Sequence, residues 1–334
     1  MNSGASEAAF SSDGKTLWAI SREGDALLRF QTDDGAKAPQ PIKLPEAIDQ
    51  DGGPMQLQTD PKGLLIAGAA KLWLWNPAEP KVAPKALATF PPQFEVSGMV
   101  RTPGKGNEGA ILISGYHSFS DEHPKPKDFD ETESLYRLAA GKKSFVPVFV
   151  RRLERVTAAP AFSGERMVFG GSYDVWEGGV EVEEPSEMPP TLWGQRIAPL
   201  AMCNTDGANS GSMGVHQVTI AGDTVWATMR GHLMGSVVSF PLPKKIAEAE
   251  APDLTETWKI QRDSLSQAKA VKFPAEEGVE ASDMTDSADA LCSTTDVDGN
   301  WKIAFRTNHR NFWVLTKGAK APVAIGTETS EEAQ

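Results

Sequence analysis

The chain has 334 residues, of which 40% are hydrophobic and 23% are charged, a mixture typical of folded globular domains rather than of disordered chains. With 33 Lys and Arg against 45 Asp and Glu, the net charge is −12, which disfavours binding to nucleic acid and to anionic lipid. No run of residues approaches the ~18 apolar positions of a membrane-spanning helix, so the sequence predicts no transmembrane segment.

The two ends of the chain differ in composition from its middle. We expect residues 1–6 to be a flexible lead-in, residues 7–326 to form one domain and residues 327–334 to be a disordered acidic tail. The small polar start shows no export signal, which leaves an intracellular start or the remnant of a removed signal or lipid tether. We favour the second, because the domain begins abruptly. A removed signal or tether predicts a periplasmic or otherwise extracytoplasmic protein; a cytoplasmic protein is the alternative.

A short hairpin signal recurs along the chain. Residues 10–20 (FSSDGKTLWAI) predict strand, tight turn and strand, because Asp-Gly between apolar runs supplies the positive φ that such a turn needs. Residues 220–228 (IAGDTVWAT) repeat the pattern, with Gly222 in the place of Gly14, and both glycines are followed by x-Thr-apolar-Trp-Ala. Weaker copies of the signal have their turn glycines at Gly63, Gly106, Gly164 and Gly299.

The spacing of these turns predicts the architecture. Successive turn glycines lie roughly 40 to 80 residues apart, and each hairpin is followed by two more strand-like runs, which is the plan of a propeller blade with insertions. We therefore predict an all-β protein, a β-propeller of six blades with four antiparallel strands each. A seventh blade stays open, because the longest gap, over 244–290, contains a further strand-like run at 270–273.

The hairpin at 10–19 and its copies resemble the repeats of the β-propeller superfamily, in its WD-repeat, quinoprotein and lactonase-like branches. The resemblance covers nearly the whole chain and implies a ring of blades with large aromatic side chains between them. We expect the following residues to fill such positions: Trp18, Trp73, Trp75, Trp226 and Trp313. The Trp-docking motif of quinoproteins is not found, so no such cofactor is predicted.

Candidate sites for catalysis and metal binding are weak. The lactonase resemblance would imply one Glu, two Asn and one Asp around a divalent metal in the central channel, and we find no such set on matching strands. His117 precedes an acidic insertion over 118–133, and His123 lies within it; the insertion could bind a divalent ion but is better interpreted as a solvated loop. Residues 296–300 (DVDGN) resemble the start of a calcium loop, but the glycine comes too early and no Glu follows, so we predict a hairpin turn.

The two cysteines, Cys203 and Cys292, allow two interpretations. In a reducing compartment they would be buried and inert, and in an oxidising one they could pair. Sequence alone cannot bring them within bonding distance.

Surface charge provides the remaining functional signal. A polar connector and two groups of Arg and His residues stand out against the acidic background. The candidate partner-binding residues are Asn204, Asp206, Asn209, Arg230, His232, Arg306, His309 and Arg310. Because no catalytic constellation is found, we predict a non-catalytic propeller that binds a protein partner through its charged loops, in a scaffold, assembly or immunity-type role. The alternative is a hydrolase or lactonase that uses a divalent metal at the channel mouth; no other cofactor is predicted.

Overall fold

The structure is a computed structural model, and it describes most of the chain between residues 8 and 326. The described residues are 8–21, 23–34, 37–102, 109–129, 133–150, 155–163, 166–172, 178–183, 191–192, 194–198, 215–229, 237–241, 269–270, 288–307 and 311–326. Six β-sheets and one short helix make up the regular structure of these residues. An all-β protein was predicted, and this is confirmed.

The first three sheets follow one another in the chain. The first contains β1 (Ala8–Phe10), β2 (Thr16–Ile20), β3 (Ala26–Gln31) and β4 (Gln40–Lys43), and helix α1 (Glu46–Asp49) follows it. The second contains β5 (Gln56–Asp60), β6 (Gly63–Ala67), β7 (Lys71–Trp75) and β8 (Lys85–Thr89). The third begins with β9 (Phe94–Arg101), β10 (Ile111–His117), β11 (Leu135–Leu138) and β12 (Val146–Val150).

The other three sheets complete the described structure. The fourth contains β13 (Arg155–Ser163), β14 (Arg166–Ser172), β15 (Gly178–Glu183) and, after β16 (Thr191–Leu192), β17 (Gly194–Ala198). The fifth contains β18 (Val215–Ala221), β19 (Thr224–Met229), β20 (Val237–Pro241) and β21 (Lys269–Ala270). The sixth contains β22 (Ala288–Thr295), β23 (Trp301–Thr307), β24 (Asn311–Thr316) and β25 (Val323–Ile325).

One strand departs from the predicted plan of four antiparallel strands in each sheet. β16 pairs in parallel with β12, so the third sheet gains a fifth strand from the chain of the fourth. The edge of the third sheet offers backbone N–H and C=O groups, and β16 pairs with it. The prediction of four strands is therefore wrong for the third sheet.

The first strands of the six sheets surround a central cavity. Each of them contacts the next one along the chain, and β22 contacts β1, which closes the ring. Their hairpin turns gather on one side: Thr59 Oγ1 donates to the Phe10 carbonyl, and Gly14 lies against Thr294. We call this side the turn face. The opposite side, which we call the connector face, holds the described links between sheets, at 44–55 and 90–93, and the described loops between second and third strands at 68–70 and 118–129.

The predicted β-propeller fold is thus confirmed, whereas the described residues complete four blades rather than the predicted six. The first, second, third and sixth sheets are described almost throughout, and they form four blades in full. The fourth and fifth sheets are interrupted by residues outside the described part, among them 184–190 and 242–268. The predicted strand-like run at 270–273 contributes only β21 to the described structure, and the rest of it lies outside.

Apolar side chains fill the wedges between neighbouring sheets. Trp73 and Trp75 belong to a buried cluster between the first and second sheets, against which the half-buried Trp18 packs. Trp226 and Trp313 belong to a second cluster, between the fifth and sixth sheets. The predicted packing role of these tryptophans is confirmed, since burial of large rings is the main apolar contact between adjacent sheets.

The predicted turns explain why these residues form hairpins. Gly14, Gly222 and Gly299 have φ angles of 67°, 61° and 74°, a left-handed conformation that glycine adopts without steric cost. Gly106 and Gly164 lie outside the described residues. In the last turn, Asp296 Oδ1 accepts the backbone N–H groups of Asp298 and Asn300 at 2.9 and 2.8 Å. This segment is therefore a hairpin turn, as predicted.

Helix is scarce in the described part of the chain, where α1 spans four residues. No helix among the described residues is long and apolar enough to cross a membrane.

Candidate functional site

The central cavity is the first candidate. It has a volume of about 360 Å³ and is lined by the first strands of all six sheets. Most lining side chains are small, apolar or uncharged, for example Gln58, Thr59, Thr219 and Ser293, and Arg101 is the charged residue of the described lining. Such a wall can bind a small polar molecule, but it offers little for proton transfer.

Arg101 is held by its own surroundings. Its Nη2 lies 2.6 Å from Asp60 Oδ2, and its Nη1 donates to the Gly109 carbonyl at 3.0 Å. Its buried Nε has no hydrogen-bond partner among the described residues. The carboxylate neutralises the guanidinium, so the pair stabilises the wall of the cavity rather than presenting a net charge to a ligand.

The metal set expected of a lactonase-like site is not assembled on the described strands. The six first strands contain no Asn, and two of their carboxylates have other partners: Asp60 binds Arg101, and Glu95 accepts a hydrogen bond from Tyr116. In the part of the chain that the structure describes, no group of three or more His, Cys, Asp or Glu side chains could hold a metal ion.

The loop between β10 and β11 is the second candidate, and it lies on the connector face. We call residues 118–134 the aromatic loop; residues 130–132 of it lie outside the described part. The loop packs around the imidazole of His117. The centroid of this ring lies 4.7 Å from that of Phe129, 5.1 Å from that of Phe94 and 5.7 Å from that of Phe119. Phe119 stacks almost parallel to the imidazole, at 13°. These contacts fix a loop that the sequence predicted to be merely solvated.

Hydrogen bonds reinforce the base of the aromatic loop. His117 Nδ1 lies 3.1 Å from the Pro92 carbonyl, and Nε2 lies 2.8 Å from Tyr136 Oη. Tyr136 Oη donates to Glu133 Oε2 at 2.6 Å, so the last turn of the loop is tied to β11. Burial raises the pKa of Tyr136 far above its usual range, and the hydrogen bond and charge of Glu133 act in the same direction. The phenol therefore keeps its proton.

The electrostatics of His117 follow from its aromatic surroundings. Burial lowers the pKa of His117, because a charged imidazole would lose water contacts among the rings. The Pro92 carbonyl and the Glu133 charge oppose this, but they do not outweigh it. Burial of the docked loop thus favours the neutral histidine, in which Nδ1–H donates to the Pro92 carbonyl, and Nε2 and Glu133 then compete for the one proton of Tyr136 Oη.

The aromatic loop combines rings with carboxylates. Tyr116 projects from the face of β10 opposite to His117; it is 52% exposed, and its Oη donates to Glu95 Oε2 at 2.5 Å. Lys125 Nζ lies 5.9 Å from the centre of the Phe129 ring. Exposed acidic residues of the loop are Asp121, Glu122 and Asp128. Aromatic rings on a polar rim are typical of protein interfaces.

Most of the predicted partner-binding residues lie outside the described part of the chain. These are Asn204, Asp206, Asn209, Arg230, His232, His309 and Arg310. The described strands that lead into two of the groups, β19 and β23, end on the connector face, as β10 does at His117.

Arg306 is the one predicted residue that is described, and it is buried rather than on a rim. It is 4% exposed, and its guanidinium lies 5.9 Å from the ring of Phe312, the residue opposite it on β24. Burial over a ring explains the position, because an arginine stem and guanidinium pack well on an aromatic face. A direct contact with a partner is not open to this side chain as it lies here.

The cysteine prediction stays open. Cys292 lines the central cavity, is partly exposed and forms no disulfide among the described residues. Cys203 lies outside them.

Comparison with known proteins places the fold. No protein-family model and no curated protein matches the sequence. Among solved structures, a calcium-binding regucalcin from Agrobacterium tumefaciens matches with a TM-score of 0.54 at 13% identity, over 90% of this chain and 82% of its own. A luciferin-regenerating enzyme matches with a TM-score of 0.52 at 9% identity, over 98% and 96%.

A third solved structure, AofleA from Arthrobotrys oligospora, matches with a TM-score of 0.55 at 9% identity, over 97% of this chain and 87% of its own. At such low identities these likenesses concern the fold alone. They agree with the ring of sheets described above, and the chain is a β-propeller.

Proposed function

We propose that this protein is a six-bladed β-propeller that binds a protein partner through its connector face. The number six is supported by the closed ring of first strands, β1, β5, β9, β13, β18 and β22, each in a separate sheet. A rigid ring of this kind positions loops for recognition without taking part in chemistry.

The aromatic loop is the observation that carries the proposal. A solvated loop would leave Phe119 and Phe129 without neighbours, yet both pack on His117, and their ring centroids lie 4.9 Å apart. The hydrogen bond from Tyr136 to Glu133 ties the same loop to the sheet. A loop ordered before binding loses less conformational entropy when a partner docks, which favours affinity.

Charge supports a protein partner with a basic surface. The chain carries a net charge of −12, and the aromatic loop exposes acidic side chains beside its rings. Opposite charge on the partner would steer encounter and fix orientation. The proposed role of the predicted residues is to extend this surface; they are Asn204, Asp206, Asn209, Arg230, His232, His309 and Arg310.

A photocrosslinking residue placed on each face tests the proposal. The crosslinker replaces Asp121 in the aromatic loop in one variant and Asp298 on the turn face in the other, and both are expressed in the native cells. We expect one discrete adduct from position 121 and none from position 298, and Phe129→Ser, which removes a ring that packs on His117, should abolish the adduct. An adduct from the turn face alone, or one that is indifferent to Phe129→Ser, would contradict the proposal.

The second candidate function is a metal-dependent hydrolase or lactonase in the central cavity. The fold likeness to the calcium-binding regucalcin and to the luciferin-regenerating enzyme is the observation that favours it. Its test is metal analysis of the purified full chain. A stoichiometric divalent ion whose removal abolishes hydrolysis of a lactone would establish it and displace the non-catalytic proposal.

A further inference from the structure

We infer that the central cavity binds a small uncharged molecule with several hydroxyl groups, of about the size of a monosaccharide. This inference goes beyond the proposed function, because it concerns the interior of the ring and not the connector face. It depends on three properties of the described lining, which are its unpaired strand edges, its two glutamine amides and its charge balance.

Unpaired strand edges surround the cavity. Among the described residues, each first strand pairs with the second strand of its own sheet and with no other strand, so its inner edge has backbone N–H and C=O groups that no strand binds. Side chains of neighbouring first strands bind some of these groups: Thr59 Oγ1 donates to the Phe10 carbonyl, and Ser293 Oγ donates to the Ile220 carbonyl at 2.9 Å. The other groups need hydrogen bonds from molecules inside the cavity.

Two glutamine amides add to this lining. Gln56 and Gln58 are two positions apart on β5, so both side chains project from the same side of the strand. Both residues line the cavity, and Gln56 is 3% exposed. Neither amide forms a hydrogen bond with another described residue. A buried amide lacks the hydrogen bonds that it would form in bulk water, so a bound molecule that restores them is favoured.

The charge balance of the described lining favours an uncharged ligand. Arg101 is the charged residue of this lining, and Asp60, whose carboxylate lies 2.6 Å away, neutralises it. A carboxylate or an ammonium group that entered the cavity would lose water without meeting an unpaired opposite charge. An uncharged molecule avoids this cost.

Hydroxyl groups match the mixed hydrogen-bonding character of the lining. A hydroxyl both donates and accepts, whereas an ammonium group only donates and a carboxylate only accepts. Strand edges and amides present donors and acceptors side by side, so a molecule with several hydroxyls can bind both kinds of group. Met99 and Phe162 add apolar surface for its C–H groups. The cavity volume of about 360 Å³ lies in the range of small-molecule sites, roughly 300–1,000 Å³.

An NMR titration of the full chain tests the inference. The probes are glucose, galactose and mannose, each compared with its uronate and with its amino sugar at a pH at which the amine is protonated. The signal followed is the methyl group of Met99, assigned through Met99→Leu, because this residue lines the cavity. We expect a saturable shift with at least one neutral sugar, and binding of its two charged analogues that is at least about tenfold weaker.

Substitution of the amides locates the binding site. Gln56→Met and Gln58→Met each remove one amide at similar side-chain size and should weaken binding of that sugar about threefold to tenfold. Gln58 is only half-buried, so its variant serves if Gln56→Met lowers the melting temperature. Gln40→Met is the matched control, because Gln40 is exposed on β4 and lies outside the described lining. We expect it to leave binding unchanged.

Three results would overturn the inference. They are the lack of a saturable shift with all three neutral sugars, equal binding of the charged analogues, and an equal loss of binding in Gln40→Met. The first would show that the cavity does not bind this class of molecule, and the other two would show that binding does not depend on the uncharged lining.

Two further measurements separate this inference from the functions proposed above. Binding should persist in EDTA, because no group of three or more His, Cys, Asp or Glu side chains among the described residues could hold a metal ion. Loss of binding in EDTA would overturn the inference in favour of the metal-dependent candidate. Gln56→Met should still form the adduct at position 121; loss of the adduct together with sugar binding would show a disturbed ring and overturn the local role of this amide.

Discussion

At the scale of single residues, His117 connects the aromatic loop to the sheet that carries it. Its ring contacts two phenylalanines of the loop, and its nitrogens lie within hydrogen-bond distance of the Pro92 carbonyl, just before the third sheet, and of Tyr136 in that sheet. One titratable side chain thus controls how firmly the proposed binding surface is held. Protonation of His117 should therefore change the hydrogen-exchange rates of the aromatic loop.

Acid should loosen the aromatic loop. Burial lowers the pKa of His117 below its ordinary value of 6.5, so the docked loop binds the proton less well than the undocked loop does. Docking is then strongest above the ordinary value and weakens as the pH falls through and below it. Hydrogen exchange of residues 118–129, corrected for intrinsic rates, should accelerate as the pH is lowered from about 7 to about 5.

His117→Gln is the control for this pH response. Glutamine cannot titrate, so the exchange of the loop should no longer depend on pH in this range, whatever its absolute rate. A response in the variant equal to that of the natural chain would assign the effect to a group other than His117.

Loss of Asp60 should destabilise the wall of the central cavity. Its carboxylate lies 2.6 Å from Arg101, with the two side chains 5% and 21% exposed, so Asp60→Ala leaves a mostly buried guanidinium without its counter-charge. We expect a loss of about 1–3 kcal/mol in the free energy of unfolding, measured with urea. Adding Arg101→Met should recover part of it. Equal stability of Asp60→Ala and the natural chain would refute the structural role of this pair.

At the scale of elements, the hairpins between first and second strands are encoded locally. Gly63 has a φ of 141°, and a Cβ there would collide with the backbone of Trp75 and Asn76. Gly299 also has positive φ, at 74°, but a Cβ there meets nothing within 4 Å. Two turns with the same role thus differ in how much space surrounds them.

This difference predicts unequal costs of two alanine substitutions. Gly299→Ala should cost about 1–2 kcal/mol, the strain of a left-handed alanine. Gly63→Ala should cost more, at least about 3 kcal/mol, since backbone must move as well. Thermal unfolding of the two variants checks this, and an equal or reversed order would show that the packing around Gly63 is looser than described.

Hairpin turns could be predicted from the sequence, whereas one strand pairing and the order of the aromatic loop could not. Turn chemistry at Gly14, Gly222 and Gly299 lies in a few adjacent residues, so the strands on either side could be predicted. The pairing of β16 with β12 depends on which sheet edge is nearest in space, and no local pattern reports that. The aromatic loop was missed for a similar reason: Phe119 and Phe129 stand among charged residues, and only their common contact with His117 orders them.

At the scale of the whole molecule, the ring must be closed between its last and first sheets. Phe30 and Phe312 meet there, with ring centroids 5.2 Å apart, within an apolar cluster of both sheets. Lys302 Nζ reaches across to Asp33 Oδ1 at 2.8 Å. No strand of one sheet is shared with the other among the described residues of this seam, so side-chain packing closes the ring.

The seam should therefore be the most sensitive place in the ring for a cavity. Phe312 is 4% exposed, and Phe312→Ala should lower the free energy of unfolding by about 3–5 kcal/mol. Val297 is fully exposed, and Val297→Ala should change it by less than about 0.5 kcal/mol. A loss below about 1 kcal/mol for Phe312→Ala would mean that another contact closes the ring.

The propeller fold could be predicted because the hairpin signal recurs along the sequence. The residues of the candidate site could be predicted only in part. Repeated turns and tryptophans reveal a propeller, but they are equally compatible with many functions. Arg306 was predicted to bind a partner, yet it is buried over Phe312 because the strand register brings the two together. Tyr116 and Glu95 were not singled out, since their pairing follows from the register of β9 and β10 and not from their spacing.

Hydrogen–deuterium exchange of the full chain bound to its crosslinked partner tests the central claim most directly. We predict slower exchange in residues 94–96 and 115–129, at the connector face, with no change in the turn-face segments 11–16 and 294–302. Protection confined to the turn face, or to the strands that line the cavity in the second and sixth sheets, would contradict it.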